Sequence, residues 1–186
     1  LGEYGSILSG HPTIEVPGIE VNTGALGHGL SIGVGMALAA KMNHQSYKTY
    51  VLMGDGEQDE GSIYEAAMAA HQYKLDNLVA IIDRNKLQIS GTTEEVMALE
   101  SICQRWTSLG WDVKEMNGDD IDDIVKSFSN INFENHCPHL LISHTTKGKG
   151  VSYMENVVKW HHGVPTEEEF NLAIQEISER IATLEK

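Results

Sequence analysis

Two short apolar runs, TYVLM at 49–53 and NLVAIID at 77–83, each stop abruptly in a polar turn. Neither alternates apolar with polar residues, so both read as strands covered on both faces, the habit of parallel sheets. A helical stretch at 62–74 separates them. Ser62 or the turn before it can cap that helix, and Glu65 falls in its first turn. Strand, helix, strand in that order predicts two adjacent parallel strands. Both would end at the same edge of the sheet, the edge at which such sheets bind ligands.

The remaining chain repeats this alternation. Residues 1–26 are rich in Gly, Pro and Thr and read as loop. Residues 27–42 read as a helix with small side chains (Gly29, Gly33, Gly35, Ala37, Ala39, Ala40), suited to tight packing against a sheet or a partner subunit. Helices are predicted at 101–109 and 121–128, and strands at 111–116 and 139–144. A long amphipathic helix follows at 166–185, where Thr166 and Glu169 make a capping box. The fold class is α/β, a parallel sheet with helices on both faces. With 186 residues and no repeat, low-complexity tract or linker, the expectation is one domain over 1–186.

Composition removes several classes of function. With 27 Asp+Glu against 13 Lys+Arg, the formal charge is -14. Nonspecific nucleic-acid binding needs the opposite balance, although a local phosphate site does not. Cys103 and Cys137 stand in unrelated contexts, so neither a CxxC metal site nor a disulfide framework is expected, which suits the cytoplasm. No apolar run reaches the ~18 residues of a membrane span, and no signal peptide is visible.

The chemistry concentrates at the two strand ends. The first continues as GDGEQDEG from Gly54 and the second as DRNKLQ from Asp83. The Asp55 carboxylate, the Asn85 amide oxygen and a nearby backbone carbonyl are hard donors. They suit Mg²⁺ or Ca²⁺, with phosphate oxygens and water completing the shell. The flanking glycines let backbone N–H groups approach a phosphate, and the next helix offers its positive end. Alone, Gly-Asp-Gly reads more often as a strand-end turn; the pairing at two matched strand ends makes it specific. TTKGKG at 145–150 lacks Walker spacing, and NTGALGHG follows no clear strand, so nucleotide and dinucleotide sites are not expected.

These motifs have telling neighbours: GHPTIEVPGIEVNTGALGHGLSIGVGMALAAK, IYEAAMAAHQYKLDNLVAIIDRN and TTKGKGVSYMENVVKWHHGVPT. Together they resemble the transketolase family of thiamine-diphosphate (ThDP) enzymes, from Gly10 to the tail. The resemblance is closest to split-chain bacterial and archaeal forms, whose diphosphate and pyrimidine halves are separate polypeptides. This chain looks like the first half. The resemblance implies a metal, Mg²⁺ or in its place Ca²⁺ or Mn²⁺, held by Asp55, Asn85 and the backbone carbonyl of Leu87. It implies Gly54 and Gly56 against the diphosphate, and Gly24, Ala25 and Leu26 against the pyrimidine and thiazolium. His11 and one of His161 or His162 would act at the reaction centre, Lys147 near the diphosphate, and Glu60 at a subunit interface. It further implies a homo- or hetero-oligomer, such as a dimer, with the pyrimidine-domain half. The reaction would move a two-carbon ketol unit from a ketose phosphate to an aldose phosphate, as in the pentose phosphate pathway.

Each residue also has a plainer reading. His11 before Pro12 reads as a loop histidine, and His161 and His162 beside Trp160 as packing. Glu60 reads as a first-turn charge favoured by the helix dipole. His28, His44, His71, His136, His139 and His144 read as ordinary polar groups. The sequence also departs from the family. Two further histidine motifs of an N-terminal segment do not occur, and the chain opens at Leu1. The expectation is an N-terminally incomplete chain, inactive in isolation because the glutamate that activates the cofactor belongs to the other half. Two alternatives stay open: another ThDP enzyme component, of deoxyxylulose-phosphate synthase or keto-acid dehydrogenase type, and a noncatalytic assembly remnant.

Overall fold

The NLVAIID run forms the heart of the sheet. In the computed structural model, which describes residues 4–8 and 10–184, strand β2 (Leu78–Arg84) is buried at every position except the half-buried Asp83. β1 (Thr49–Gly54) pairs with it in parallel, Thr49 opposite Leu78 and Gly54 opposite Asp83. On its other side lies β6 (His139–His144), and beyond that β5 (Asp112–Asn117). The order is β1-β2-β6-β5, all parallel. A two-stranded hairpin, β3 (Leu87–Gln88) and β4 (Gly91–Thr92), and a one-turn helix α3 (Thr93–Val96) follow β2.

The predicted helices cover both faces. Helices α1 (His28–Met42), α2 (Gly61–Gln72) and α4 (Ile102–Ser108) lie over one face, where Leu30, Ile63, Trp106, Leu78 and Ile82 form the larger core. Helix α5 (Ile121–Ser129) covers the other, where Ile124 and Phe128 pack on Val79, Ile81 and Leu141. Burial at about 25 cal/mol per Å² of apolar surface makes these two clusters the main stabilising force. Small residues bring α1 close to the sheet: a Cβ built on Gly33 would lie 2.5 Å from Val51 Cγ2. Helix α6 (Glu167–Leu184) begins at the predicted capping box. Thr166 N donates to Glu169 Oε2 at 2.7 Å, and Glu169 N donates to Thr166 Oγ1 at 3.2 Å. Residue 185, the predicted end of this helix, lies outside the described residues.

Two local expectations are corrected. TYVLM reads as covered on both faces, but β1 is an edge strand with alternating burial, leaving Tyr50 54% and Leu52 73% exposed. Its inner face meets α1; over its outer face the described residues supply no complete layer. Helix α2 starts at Gly61, so Glu65 falls past its first turn, and the Ser62 hydroxyl donates to Gly27 O at 2.9 Å rather than capping. Among the described residues, no helix is long and apolar enough to cross a membrane.

Candidate functional site

The parallel register carries Asp55 and Asn85 off neighbouring strands at the same sheet edge. Asp55 is 2% exposed. Its Oδ1 accepts from Gly56 N at 2.8 Å, and its Oδ2 from Lys86 N at 2.6 Å and Arg84 Nη1 at 3.0 Å. Asn85 Oδ1 accepts from Leu87 N at 3.1 Å, and its Nδ2 donates to Asp83 Oδ1 at 3.3 Å. Asp83 also accepts from the Thr145 hydroxyl, which joins β2 to the chain after β6. The sequence expectation that these strand ends meet is therefore fulfilled in geometry.

Arg84 is the hub of this corner, and sequence reasoning passes over it. It is 2% exposed, yet reaches four acceptors. Besides Asp55, Nη1 donates to Thr93 Oγ1 at 2.8 Å, and Nη2 to Glu94 Oε1 at 3.1 Å and Glu100 Oε1 at 2.7 Å. Burial works against its charge, but the hydrogen bonds to Glu100 and Asp55 outweigh it and the guanidinium pKa lies above its ordinary value. Arg84 in turn holds the Glu100 carboxyl below the usual glutamate value. A cation at the last position of an otherwise apolar strand, directly after Asp83, is the one sequence signal of this hub.

Beside this corner opens a cleft of about 400 Å³. His11, Gly24, Ala25, Leu26, His28 and Leu52 contribute to its walls. The His11 ring packs on Gly24, where a built Cβ would lie 3.4 Å from Cδ2. Glu57 ties cleft to corner: Gly27 N donates to its Oε1 at 2.9 Å and Gly54 N to its Oε2 at 3.0 Å. Gly27 has φ +81, and a Cβ there would lie 2.6 Å from Ser62 Oγ and 2.7 Å from Glu60 Cβ, so only glycine fits. Glu60 is thus exposed at the junction of α2 and the 24–27 loop. Glu57 also lines the cleft, and sequence reasoning did not single it out; His28, read from the sequence as an ordinary polar group, lies on the cleft wall. Glu57 stands inside the GDGEQDEG motif, but its partner at Gly27 is distant in sequence.

His161, His162 and Lys147 form a third group. The two histidine rings lie 6.2 Å apart, and burial, Lys147 and His162 together lower the His161 pKa. The short 3₁₀ turn Val158–His161 packs beside β3, the strand that begins at Leu87. Trp160 carries the packing role: its Nε1 donates to Tyr153 O at 3.0 Å and its ring meets Tyr153 edge-on at 5.2 Å. Both histidines stay exposed.

The donor set suits a hard cation that brings some of its own oxygens. Among the described residues, no group of three or more His, Cys, Asp or Glu could hold a metal by itself. A cation here would rely on one carboxylate, neutral oxygens and a bound ligand. Asp55 Oδ1 and Asn85 Oδ1 each accept one hydrogen bond from a described donor, which leaves lone-pair capacity on both.

A parallel α/β sheet with an acid–amide pair at its carboxyl edge and a glycine-lined cleft beside it defines a class of cofactor-binding domain. The chain matches the family described as transketolase, thiamine diphosphate binding domain, over residues 1–178, and it belongs to that family. It is 76% identical over 186 residues to one of the subunits of the apulose-4-phosphate transketolase of Phocaeicola vulgatus, covering 100% of this chain and 66% of that protein. It is 39% identical over 178 residues to a 6-deoxy-6-sulfo-D-fructose transketolase subunit of a Clostridium species, covering 95% of this chain and 65% of that protein. The chain therefore spans just under two thirds of the length of these relatives. Its fold is similar to the crystal structure of transketolase from Campylobacter jejuni, with a TM-score of 0.85 and 34% identity over 95% of this chain and 29% of that one.

Proposed function

We propose that this chain is the diphosphate-side subunit of a split transketolase that uses ThDP and a divalent metal. The observation that carries the reading is the convergence of Asp55 and Asn85 at one strand edge, joined through Glu57 to the cleft of His11 and Gly24. Asp55 Oδ1, Asn85 Oδ1 and the Leu87 carbonyl would hold Mg²⁺, with Ca²⁺ or Mn²⁺ as substitutes. Gly54 and Gly56 would lie against the diphosphate, and Gly24, Ala25 and Leu26 against the aromatic rings. Lys147 would balance diphosphate charge, and Glu60 would sit at the subunit junction.

When bound, ThDP supplies the carbon nucleophile and the electron sink for the two-carbon unit. The protein's work is to orient, to exclude water and to move protons. A His11 ring nitrogen would accept the proton of the donor ketose hydroxyl as the carbon–carbon bond opens. It would return that proton to the acceptor's carbonyl oxygen as the new bond closes. His161 or His162 would serve the sugar hydroxyls, and the lowered His161 pKa, set first by burial and then by Lys147 and His162, favours the neutral ring that can accept a proton.

A second polypeptide with the pyrimidine-binding half would complete the site, in a homo- or hetero-oligomer. The 76% identical relative, named for apulose 4-phosphate, makes that ketose phosphate the first donor to test. The assay measures ketol transfer to an aldose phosphate, with 6-deoxy-6-sulfo-D-fructose as the competing donor. Transfer is expected only with the partner half, ThDP and metal present. Robust turnover by this chain alone would contradict the reading.

A further inference from the structure

We propose that Arg84 is a positioning residue that makes Asp55 a one-oxygen metal ligand and so favours Mg²⁺ over Ca²⁺. The inference rests on the reading of Asp55 as a ligand given above. Its basis is the unequal loading of the two carboxylate oxygens. Oδ2 accepts from both Arg84 Nη1, at 3.0 Å, and Lys86 N, at 2.6 Å, while Oδ1 accepts from Gly56 N, at 2.8 Å. Two strong donors occupy the lone pairs of Oδ2 and leave capacity on Oδ1. A carboxylate bound through both oxygens is a Ca²⁺ arrangement; Mg²⁺ prefers one oxygen from each carboxylate and near-octahedral geometry.

The guanidinium can enforce this because it is itself fixed. Thr93 Oγ1 at 2.8 Å shares Nη1, and Glu94 at 3.1 Å and Glu100 at 2.7 Å hold Nη2. These acceptors come from the segment after β4, which folds back over the strand end. The Arg84 side chain is 1% exposed, so water does not compete for its donors. Glu94 and Glu100 thus act on the metal at one remove, through Arg84.

The test titrates Mg²⁺ and Ca²⁺ separately into the intact protein with saturating ThDP, followed by calorimetry. Arg84→Lys keeps the charge but loses the planar fork that holds Oδ2. It should lower Mg²⁺ affinity on the order of 10-fold, the usual effect of losing an outer-shell partner, and Ca²⁺ affinity by less, so the preference ratio falls. Glu100→Gln should shift the ratio the same way but less, and decides the matter if the lysine variant does not fold. A merely structural role would weaken both metals in proportion, and an unchanged ratio in the folded variants overturns the inference. Asp55→Ala, which leaves no side-chain oxygen, separates the two claims. If it leaves metal-dependent ThDP binding intact, the ligand reading fails; if it abolishes binding while the ratio ignores Arg84, only the positioning role fails.

Discussion

The Asp55 corner is closed and the His11 cleft is open. At the corner, Asp55 and Arg84 are each 2% exposed and bound to several partners. Along the cleft, Leu26 is 58% and Leu52 73% exposed. The corner is assembled from residues that adjoin each other at two strand ends, with the 93–100 segment folded over them. The cleft is walled on one side by a loop that a few backbone bonds hold, such as Thr23 N to Pro12 O at 3.3 Å. On the proposed function, a diphosphate and its metal would need fixed charges in a small space, which suits the closed corner. On the same proposal, sugar and cofactor rings would need room and a second wall, and the exposed apolar side chains on the open side leave space for one.

Substitutions can break this contrast. The largest effect is expected on the open side, in turnover. His11→Ala should cut ketol transfer in the assembled enzyme by about 10²- to 10⁴-fold, the usual worth of a proton-transfer group, while ThDP affinity measured by calorimetry changes little. Equal losses in both would make His11 a binding residue instead. Next comes the link between the two regions. Glu57→Ala leaves the Gly27 and Gly54 N–H groups without their shared acceptor. At about 1–3 kcal/mol for such a loss, ThDP affinity should fall about 10-fold, with the cleft loop exchanging amide hydrogens faster.

The closed corner should also respond to acid. The hydrogen bond from Arg84 lowers the Glu100 pKa from its ordinary 4.5. A depressed carboxyl contributes stability that is present above the unfolded value and lost as pH falls through the folded one. Melting temperatures should therefore drop on acidification below about pH 4.5, and Glu100→Gln should flatten that part of the profile. The smallest effect belongs to the outer face of β1. Leu52→Ser should change the isolated chain's stability by no more than about 0.5 kcal/mol. Met53→Ala, one residue on but buried, should cost about 2–5 kcal/mol. Equal losses would show that something covers Leu52.

The elements legible in the sequence are those with a strong periodic signal. The strands at 49–53, 77–83, 111–116 and 139–144 and the intervening helices all form, with ends shifted by a residue or two. The exposure of Tyr50 and Leu52 was not legible, because TYVLM is apolar on both faces whatever covers it. The two-residue strands β3 and β4 are too short to carry a pattern. The meeting of Asp55 and Asn85 follows from strand order alone. Arg84's role does not, because its acceptors Thr93, Glu94 and Glu100 return to it through an irregular segment. The same holds for Glu57, whose acceptor role joins two glycines far apart in the chain.

The most direct measurement is a calorimetric titration of ThDP into the protein with and without Mg²⁺, repeated on Asp55→Ala. The account predicts binding that requires both the metal and the Asp55 carboxylate. Binding of equal strength without metal, or in the Asp55 variant, would contradict it.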